Sequence, residues 1–292
     1  MSPAPPAPVR CRQIGEADLG AITDLLAAGF PARTRGYWSR ALAVLAARPE
    51  VEGCPRFGFM LEAGGIPVGV VLLIAAVSGD GEQRRVRCNI SSWYVAPQAR
   101  AYGAMLSAQA LKLKHVTYLN ISPAPHTLPL LSAQGYRRYN DGQFICLPAL
   151  SPLPRDAWVR EITADDRSAD ARDFPEFDLL TAHAAAGCLS LVCETETGPH
   201  PFVFLRSRMG LSAPGVVQLA WCRNTADFTA CAGAAGRFLL GRGALAVVLD
   251  ADAPVPGLAG KFFKGKSPKF FKGADRPRLN DLAFTEAALF GV

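Results

Sequence analysis

The sequence predicts an α/β (α+β) protein with two domains, each built on a sheet flanked by helices. Strand and helix patterns alternate along the whole chain, and their order in the first half recurs in the second. The 292 residues, half of them hydrophobic, suffice for one large or two modest domains. A proline-rich segment at 147–156 is typical of a linker. The predicted organisation is therefore a disordered tail over 1–9, an N-terminal domain over 10–146, the linker over 147–156 and a C-terminal domain over 157–292.

The composition indicates a cytoplasmic protein without a membrane span. The Pro/Ala-rich start lacks the apolar core of a signal peptide, and the longest apolar run, 66–77, is shorter than the roughly 20 residues that span a bilayer. The eight cysteines form no CxxC pair and have no histidine at zinc spacing, so no metal site is predicted. We expect them to be small buried hydrophobic residues in a reducing compartment. The net charge of +6 is compatible with an anionic cofactor as well as with nucleic acid.

The most informative stretch, residues 86–114, predicts a strand, a tight turn and a helix. Alternation places Val86, Ser92 and Tyr94 on one face of the strand. Pro97 lacks an N–H and should end the strand. Between strand and helix, unpaired N–H groups and the positive end of the helix dipole favour an anion, and Arg100 adds further donors.

Two segments of the first half resemble the GNAT N-acetyltransferase superfamily. Val95-Ala-Pro97 followed by Arg100-Ala-Tyr-Gly103-Ala-Met105 is similar to its acyl-CoA pyrophosphate signature, and Gly135-Tyr136 is similar to the Gly-Phe that ends the helix after its fifth strand. The resemblance implies a mixed, mostly antiparallel twisted sheet in each domain and acetyl-CoA or another acyl-CoA as cosubstrate. It assigns cofactor binding to eight residues: Tyr94, Val95, Arg100, Ala101, Tyr102, Gly103, Ala104 and Met105.

The sequence departs from that family pattern at three positions. Met105 stands where the signature has a small residue, Ala124 where many members have asparagine, and Leu131 where a tyrosine commonly protonates the leaving thiolate. No carboxylate is identified as a general base. The catalytic candidates are instead polar residues near the gap that the fold implies between its splayed strands, and one nearby imidazole. They are Asn89, Ser91, Asn120 and His126, with Ser122 as a further polar neighbour.

A faint internal repeat indicates that the C-terminal domain is a degenerate second copy. Trp93 and Trp221 are separated by 128 residues, and the surrounding strand and helix order agrees at that offset. The second copy's helix opens with Asn224, a good N-cap, and Asp227 lies in its first turn. These groups would satisfy the helix amides and repel a pyrophosphate, so this copy is predicted not to bind CoA.

Two further features have open interpretations. The stretch 261–273, KFFKGKSPKFFKG, interleaves lysines with phenylalanines and suits either an anionic surface or two amphipathic strands whose lysines lie in water. Tyr37 and Trp38 suit either core packing, which we favour, or the wall of an acceptor pocket.

The leading hypothesis is an acyl-CoA-dependent acyltransferase that acts on an amine or hydroxyl of a small-molecule or polymer acceptor. The alternatives are a non-catalytic tandem GNAT-like protein that binds or senses acyl-CoA, and an anion-binding module that uses Lys261–Gly273. Nucleic acid is not expected as a partner of the transferase.

Overall fold

The computed structural model describes residues 8–78, 84–166, 174–206 and 215–291. Residues 1–7, most of the predicted tail, lie outside these ranges. The chain divides into two compact units, Met1–Asn120 with Lys272–Asp275, and Ile121–Phe271 with Arg276–Val292.

The first unit carries a sheet in the order β1-β2-β3-β4-β5 with helices on its faces. Its neighbouring strands are antiparallel except for β4 and β5, which are parallel. Its elements are β1 (Val9–Gln13), α1 (Leu19–Gly29), α2 (Arg35–Ala47), β2 (Gly58–Ala63), β3 (Ile66–Ser78), β4 (Arg85–Val95), α3 (Gly103–Ala110) and β5 (Val116–Asn120).

The long strand β3 is the centre of this sheet. The apolar residues in the middle of β3, among them Leu72 and Leu73, are fully buried because helices cover the sheet. Gly64 and Gly65 form the turn that joins β2 to β3, and both have positive φ, a conformation that glycine adopts without strain. Strands β2 and β3 therefore form a hairpin.

The second unit carries a sheet in the order β13-β7-β12-β11-β10-β9-β8, in which only β11 and β12 are parallel. The remaining elements are α4 (Leu128–Ala133), β6 (Arg137–Arg138), β7 (Gly142–Cys146), β8 (Trp158–Ile162), α5 (Phe177–Ala185), β9 (Leu189–Thr195), β10 (Gly198–Arg206), β11 (Val216–Cys222), α6 (Thr225–Leu240), β12 (Ala246–Ala251), β13 (Gly260–Lys264), β14 (Phe270–Lys272) and α7 (Glu286–Leu289).

The division of contacts differs from the domain boundaries that the sequence predicts. Strand β7, which precedes the predicted linker, pairs with β12 and β13 inside the second sheet. The linker backbone packs closely against α6 at Gly233 and Gly236. A Cβ on Gly233 would come within 2.0 Å of the Pro152 carbonyl oxygen, and one on Gly236 within 2.2 Å of the Ala149 nitrogen. Residues 147–156 are thus a packed part of the second unit.

Both sheets are mixed and mostly antiparallel, and helices flank each of them. This arrangement confirms the predicted fold class of two α+β halves. Within the described ranges, none of the helices has the length and apolar character needed to cross a membrane.

Candidate functional site

The parallel strands β4 and β5 form a fork in the first unit. They pair from Val86 with Val116 to Asn89 with Leu119, and no further pair between them occurs in the described part of the chain. The buried side chain of Asn89 donates from Nδ2 to the carbonyl oxygens of Leu119 at 3.3 Å and Ile90 at 3.2 Å. Asn89 therefore holds the two strands at the apex of the fork.

A β-bulge follows the apex on β4. On β3, Val70 pairs with Tyr94 and Leu72 with Ser91, so Ser92 and Trp93 together lie opposite a single residue. Ser92 has a φ of 52°. The bulge ends the regular alternation, so the prediction that Tyr94 shares a face with Val86 through strict alternation is wrong. Alternation gives no signal for an extra residue, and sequence reasoning therefore missed Ser92.

The helical segment after β4 begins without a side-chain cap. Pro97 opens a 3-10 helix, Pro97–Tyr102, that runs directly into α3. Neither Ala96 nor Tyr102, the two capping positions, accepts an amide hydrogen bond through a side chain, and neither first turn holds an acidic residue. Arg100 is exposed beside these amides. Part of the tip is satisfied by backbone, because the Ala99 N–H donates to the Ala96 carbonyl oxygen at 2.9 Å and the Gly103 N–H donates to that of Arg100. The helix dipole and the Arg100 guanidinium, with no carboxylate in the first turn, still favour an anion here.

Gly103 leaves this tip free of a side chain. Its φ of −56° is accessible to every residue, and a Cβ would meet nothing closer than Val95 Cγ2 at 3.8 Å. Neither backbone strain nor internal packing explains a glycine here, which fits close approach by a ligand. The neighbouring Tyr102 and Met105 are 43% and 38% exposed.

Tyr94, at the end of β4, packs against the end of α1. Its ring leaves so little space that a Cβ on Gly29 would come within 2.4 Å of Tyr94 Cγ. Phe30 lies 6.1 Å from the Tyr94 ring and 5.4 Å from the Trp38 ring, measured between centroids. Trp38 is buried, which confirms core packing for this residue, whereas Tyr37 is half-buried.

The other candidate catalytic residues are divided between the two units. Asn120 is half-buried at the end of β5, and Ser91 is buried on β4. His126 is exposed on a 3-10 helix, Pro125–Thr127, that belongs to the second unit. Leu131 is a core residue of α4. The structure thus brings Asn89 and Ser91 together at the fork, while the eight cofactor-binding candidates all lie on residues 94–105.

The second unit repeats the fork and the bulge. Strands β11 and β12 pair from Val216 with Ala246 to Gln218 with Val248. Val203 of β10 then pairs with Trp221, and Phe204 with Leu219, which leaves Ala220 as the extra residue of a bulge. Ser92 and Ala220 are separated by the same 128 residues as the two tryptophans.

In this second fork, residues 280–282, called here the C-terminal segment, fill the gap. The Cys222 N–H donates to the Asn280 carbonyl oxygen at 3.2 Å, and the Leu282 N–H donates to that of Ala220 at 2.7 Å. The buried side chain of Asn280 accepts from the Asp250 N–H at 2.7 Å and donates to the Asp250 carbonyl oxygen at 3.1 Å. The sequence gives no signal that this segment pairs at the second fork.

The tip of α6 is capped, in contrast to that of α3. Asn224 Oδ1 accepts from the Asp227 N–H at 2.8 Å, and the Asp227 carboxylate lies in the first turn. The capping predicted from the sequence is confirmed. With a filled fork and a capped tip, the second copy lacks the features that suit the first to a pyrophosphate.

The lysine–phenylalanine stretch forms strands β13 and β14, as one of its two interpretations predicts. Lys261 and Lys264 are exposed. The expectation that its lysines lie in water is wrong for Lys269, which is buried and donates from Nζ to Asp250 Oδ1 at 2.6 Å. Its carboxylate partner lies 19 residues away in the sequence, so the local pattern gives no signal for the pair.

No protein-family model and no curated protein matches the sequence. Solved structures do match. A GCN5-related N-acetyltransferase from Kribbella flavida superposes with a TM-score of 0.61 at 18% identity, over 93% of this chain and 72% of that one. A probable N-acyltransferase from Enterococcus faecalis V583 gives 0.57 at 11% identity, over 94% and 73%.

A putative acetyltransferase from Pyrococcus horikoshii gives a TM-score of 0.52 at 12% identity, over 96% of this chain and 95% of that one. These matches extend across both sheets, and each sheet has its own fork and bulge. The chain therefore has the fold of the GCN5-related N-acetyltransferase (GNAT) superfamily, in two tandem copies.

Proposed function

We propose that the first unit is an acyl-CoA-dependent acyltransferase that transfers an acetyl or other acyl group to an amine or hydroxyl. The observation that carries this proposal is the contrast between the two copies. The tip of α3 has no side-chain cap and no acidic residue in its first turn, whereas the tip of α6 is capped and the fork beside it is filled. A site that had lost its ligand in both copies would not be expected to retain this difference.

Backbone N–H groups around residues 100–104 that do not donate within the chain would hold the pyrophosphate of the acyl-CoA, and Arg100 would add a charge-assisted contact. Gly103 would let the phosphates approach the backbone. Tyr94 and Val95 would border the pantetheine arm, because they follow the point at which β4 leaves β5. Ala101, Tyr102, Ala104 and Met105 complete the proposed binding surface.

Catalysis would come mainly from orientation of the acceptor against the thioester. The acceptor nitrogen or oxygen attacks the carbonyl carbon, the C–S bond breaks, and the proton lost by the acceptor ends on the sulfur. A thiol pKa of about 8.5 makes the thiolate a competent leaving group without a dedicated acid. This fits the buried Leu131 at the position where family members carry tyrosine. Asn89, Ser91, Asn120 and His126 remain the candidates for ordering water or protons.

Calorimetric titration with acetyl-CoA and with CoA tests the binding step. We expect the wild type to bind, and Arg100→Ala to weaken binding about tenfold, since a charge-assisted contact is worth about 1.4 kcal/mol or more. Arg155→Ala is the matched control, because Arg155 is an exposed arginine of the second unit. The absence of any heat with either ligand would overturn the proposal.

The non-catalytic alternative, an acyl-CoA sensor, is favoured by one observation, the buried leucine in place of a catalytic tyrosine. Release of free thiol from acetyl-CoA, followed over a panel of small amines, polyamines and amino sugars, separates the two functions. Binding without acceptor-dependent thiol release throughout the panel would favour the sensor.

The anion-binding alternative uses the exposed part of Lys261–Gly273. Two ammonium groups, those of Lys261 and Lys266, lie 5.5 Å from the centroid of the Phe263 ring. Edge lysines of this kind also protect a sheet from aggregation, and β13 is an edge strand. Retention on heparin that a Lys261→Ala/Lys264→Ala variant loses would support this alternative.

A further inference from the structure

Ser92 holds an unfavourable backbone conformation inside a strand. Five non-glycine residues in the described ranges have positive φ, and Ser92 is the one among them that lies within a strand. Such a conformation destabilises a chain, and it is retained where the surrounding structure or the function requires it. Bulges that re-aim a side chain are frequent beside active sites.

The hydroxyl of Ser92 is held by its neighbour. Ser91 Oγ lies 2.8 Å from Ser92 Oγ, a hydrogen-bonding distance, and the Ser91 side chain is buried at 5% exposure. Ser92 is half-buried. One serine of the pair is thus buried and the other partly exposed, and the hydrogen bond between them restricts the directions in which Ser92 Oγ can point.

The second copy has the same bulge without these hydroxyls. Leu219 and Ala220 stand at the 128-residue offset from Ser91 and Ser92. Ala220 does not have a positive φ, and its carbonyl oxygen accepts from Leu282 of the segment that fills the fork. The serine pair and the strained backbone thus occur in the copy with the uncapped helix tip, and both are missing from the bulge of the other copy.

We propose that Ser92 is a catalytic residue whose hydroxyl donates a hydrogen bond to the thioester carbonyl oxygen, while the Ser91 hydroxyl donates to Ser92 Oγ and positions it. This inference rests on the proposed acyltransferase function. The bond from the acceptor nitrogen or oxygen to carbon forms, the C–S bond breaks, and the acceptor's proton ends on the sulfur. Ser92 keeps its proton throughout and stabilises the negative charge that develops on the carbonyl oxygen.

Three variants test the proposal, with kcat from thiol release and the Kd of CoA from calorimetry. Ser92→Ala and Ser92→Gly both remove the hydroxyl, but only glycine relieves the positive φ. We expect both to lower kcat about 10²-fold, as for loss of one donor to an oxyanion, with an unchanged Kd. Ser267→Gly is the matched control, because Ser267 also has a positive φ and lies in an exposed turn of the second unit. It should leave kcat unchanged.

Wild-type kcat in Ser92→Gly or in Ser92→Ala would overturn the inference, since the hydroxyl would then be dispensable. A loss in the glycine variant alone would overturn it as well, because the stiffness of the bulge would be responsible. A wild type that binds CoA and releases no thiol overturns the proposed transferase and this inference together. If the wild type is active and the variants without the Ser92 hydroxyl keep its kcat, the inference about Ser92 is overturned and the proposed transferase stands.

Discussion

Lys269 donates from Nζ to Asp250 Oδ1 at 2.6 Å, and the two residues are only 3% and 1% exposed. Asn140 joins this buried pair, because its Oδ1 accepts from the Lys269 N–H at 2.7 Å. Asn280 bonds the backbone of Asp250 from another part of the chain. Four parts of the chain, around residues 140, 250, 269 and 280, therefore meet around this buried pair, which makes the pair central to the assembly of the second unit.

Replacement of Lys269 by methionine should strongly destabilise the second unit. The substitution keeps an apolar stem but leaves the buried carboxylate of Asp250 without its cation, an imbalance that costs about 3–5 kcal/mol. Urea denaturation followed by fluorescence measures the loss. Lys264→Met, on an exposed position of the same stretch, should change the free energy of unfolding by less than about 0.5 kcal/mol.

The double variant Asp250→Asn/Lys269→Met should recover part of that loss, because it removes the unpaired charge together with its partner. Equal unfolding midpoints for Lys269→Met and Lys264→Met would contradict the assignment of Lys269 as a structural ion-pair partner.

Replacement of two glycines of α1 by alanine should change the stability of the protein in opposite directions. Gly20 has open space around a Cβ, so Gly20→Ala should stabilise the protein by up to about 1 kcal/mol through helix propensity. A Cβ on Gly29 would enter the Tyr94 ring, and overpacking of this kind costs about 1–3 kcal/mol. Thermal unfolding of the two variants provides the comparison. Stabilisation by both would show that Tyr94 moves away freely.

Local patterns predicted most of the fold. The start of α6 was predictable, because the Asn224 cap and the acidic residue in the first turn are encoded within the element itself. The parallel pair β4 and β5 and the helix between them were likewise predictable from the strand–turn–helix order.

Features that depend on distant partners were not predictable. Strand β7 has no property that directs it to β12 and β13 rather than to a sheet of its own half. Asn280 lies in a segment without periodicity, and its role depends on the backbone of Asp250. The bulge at Ser92 depends on pairing with β3. Register and long-range polar contacts are set by the tertiary structure, so a single sequence leaves them open.

The stability of the second unit should depend both on the side-chain amide of Asn280 and on the positive φ of this residue. Asn280→Ala removes the two hydrogen bonds to Asp250 and places alanine at a φ of 55°, where asparagine is better tolerated. We expect a loss of about 2–4 kcal/mol, from two buried groups left unpaired together with backbone strain. Asn280→Gly lacks the amide but accepts the positive φ, so it should lose less. The ranking is measured by chemical denaturation, and an alanine variant as stable as the glycine variant would contradict it.

The ion pair between Glu176 and Arg223 should make stability dependent on pH in the acid range. Burial tends to raise the pKa of Glu176, but two hydrogen bonds from Arg223, each of 2.8 Å, outweigh it and leave the pKa lowered. A carboxyl with a lowered pKa in the folded state adds stability above its unfolded pKa of about 4.3, and this stability is lost as the pH falls through the folded pKa.

Urea midpoints of the wild type and Glu176→Gln should therefore differ at pH 7 and approach each other as the pH falls from the unfolded pKa of about 4.3 through the lowered pKa of the folded carboxyl. Glu196→Gln, at an exposed position, is the control and should follow the wild type at every pH. If the urea midpoint of Glu176→Gln still differs from that of the wild type below the folded pKa of Glu176, the ion pair is excluded as the cause of the difference.

Met105 departs from the small residue of the acyl-CoA signature and is 38% exposed on the first turn of α3. If phosphates bind the amides of this turn, as proposed, a shorter side chain should let them approach more closely. Met105→Ala should then tighten acetyl-CoA binding about 3–10-fold, or roughly 1 kcal/mol, as measured by calorimetry. Leu130→Ala offers a control of equal 38% exposure on α4, away from the signature, and should not change the affinity. Weaker binding by Met105→Ala would instead show that the methionine contacts the ligand, and the departure from the signature would be a feature of recognition in this chain.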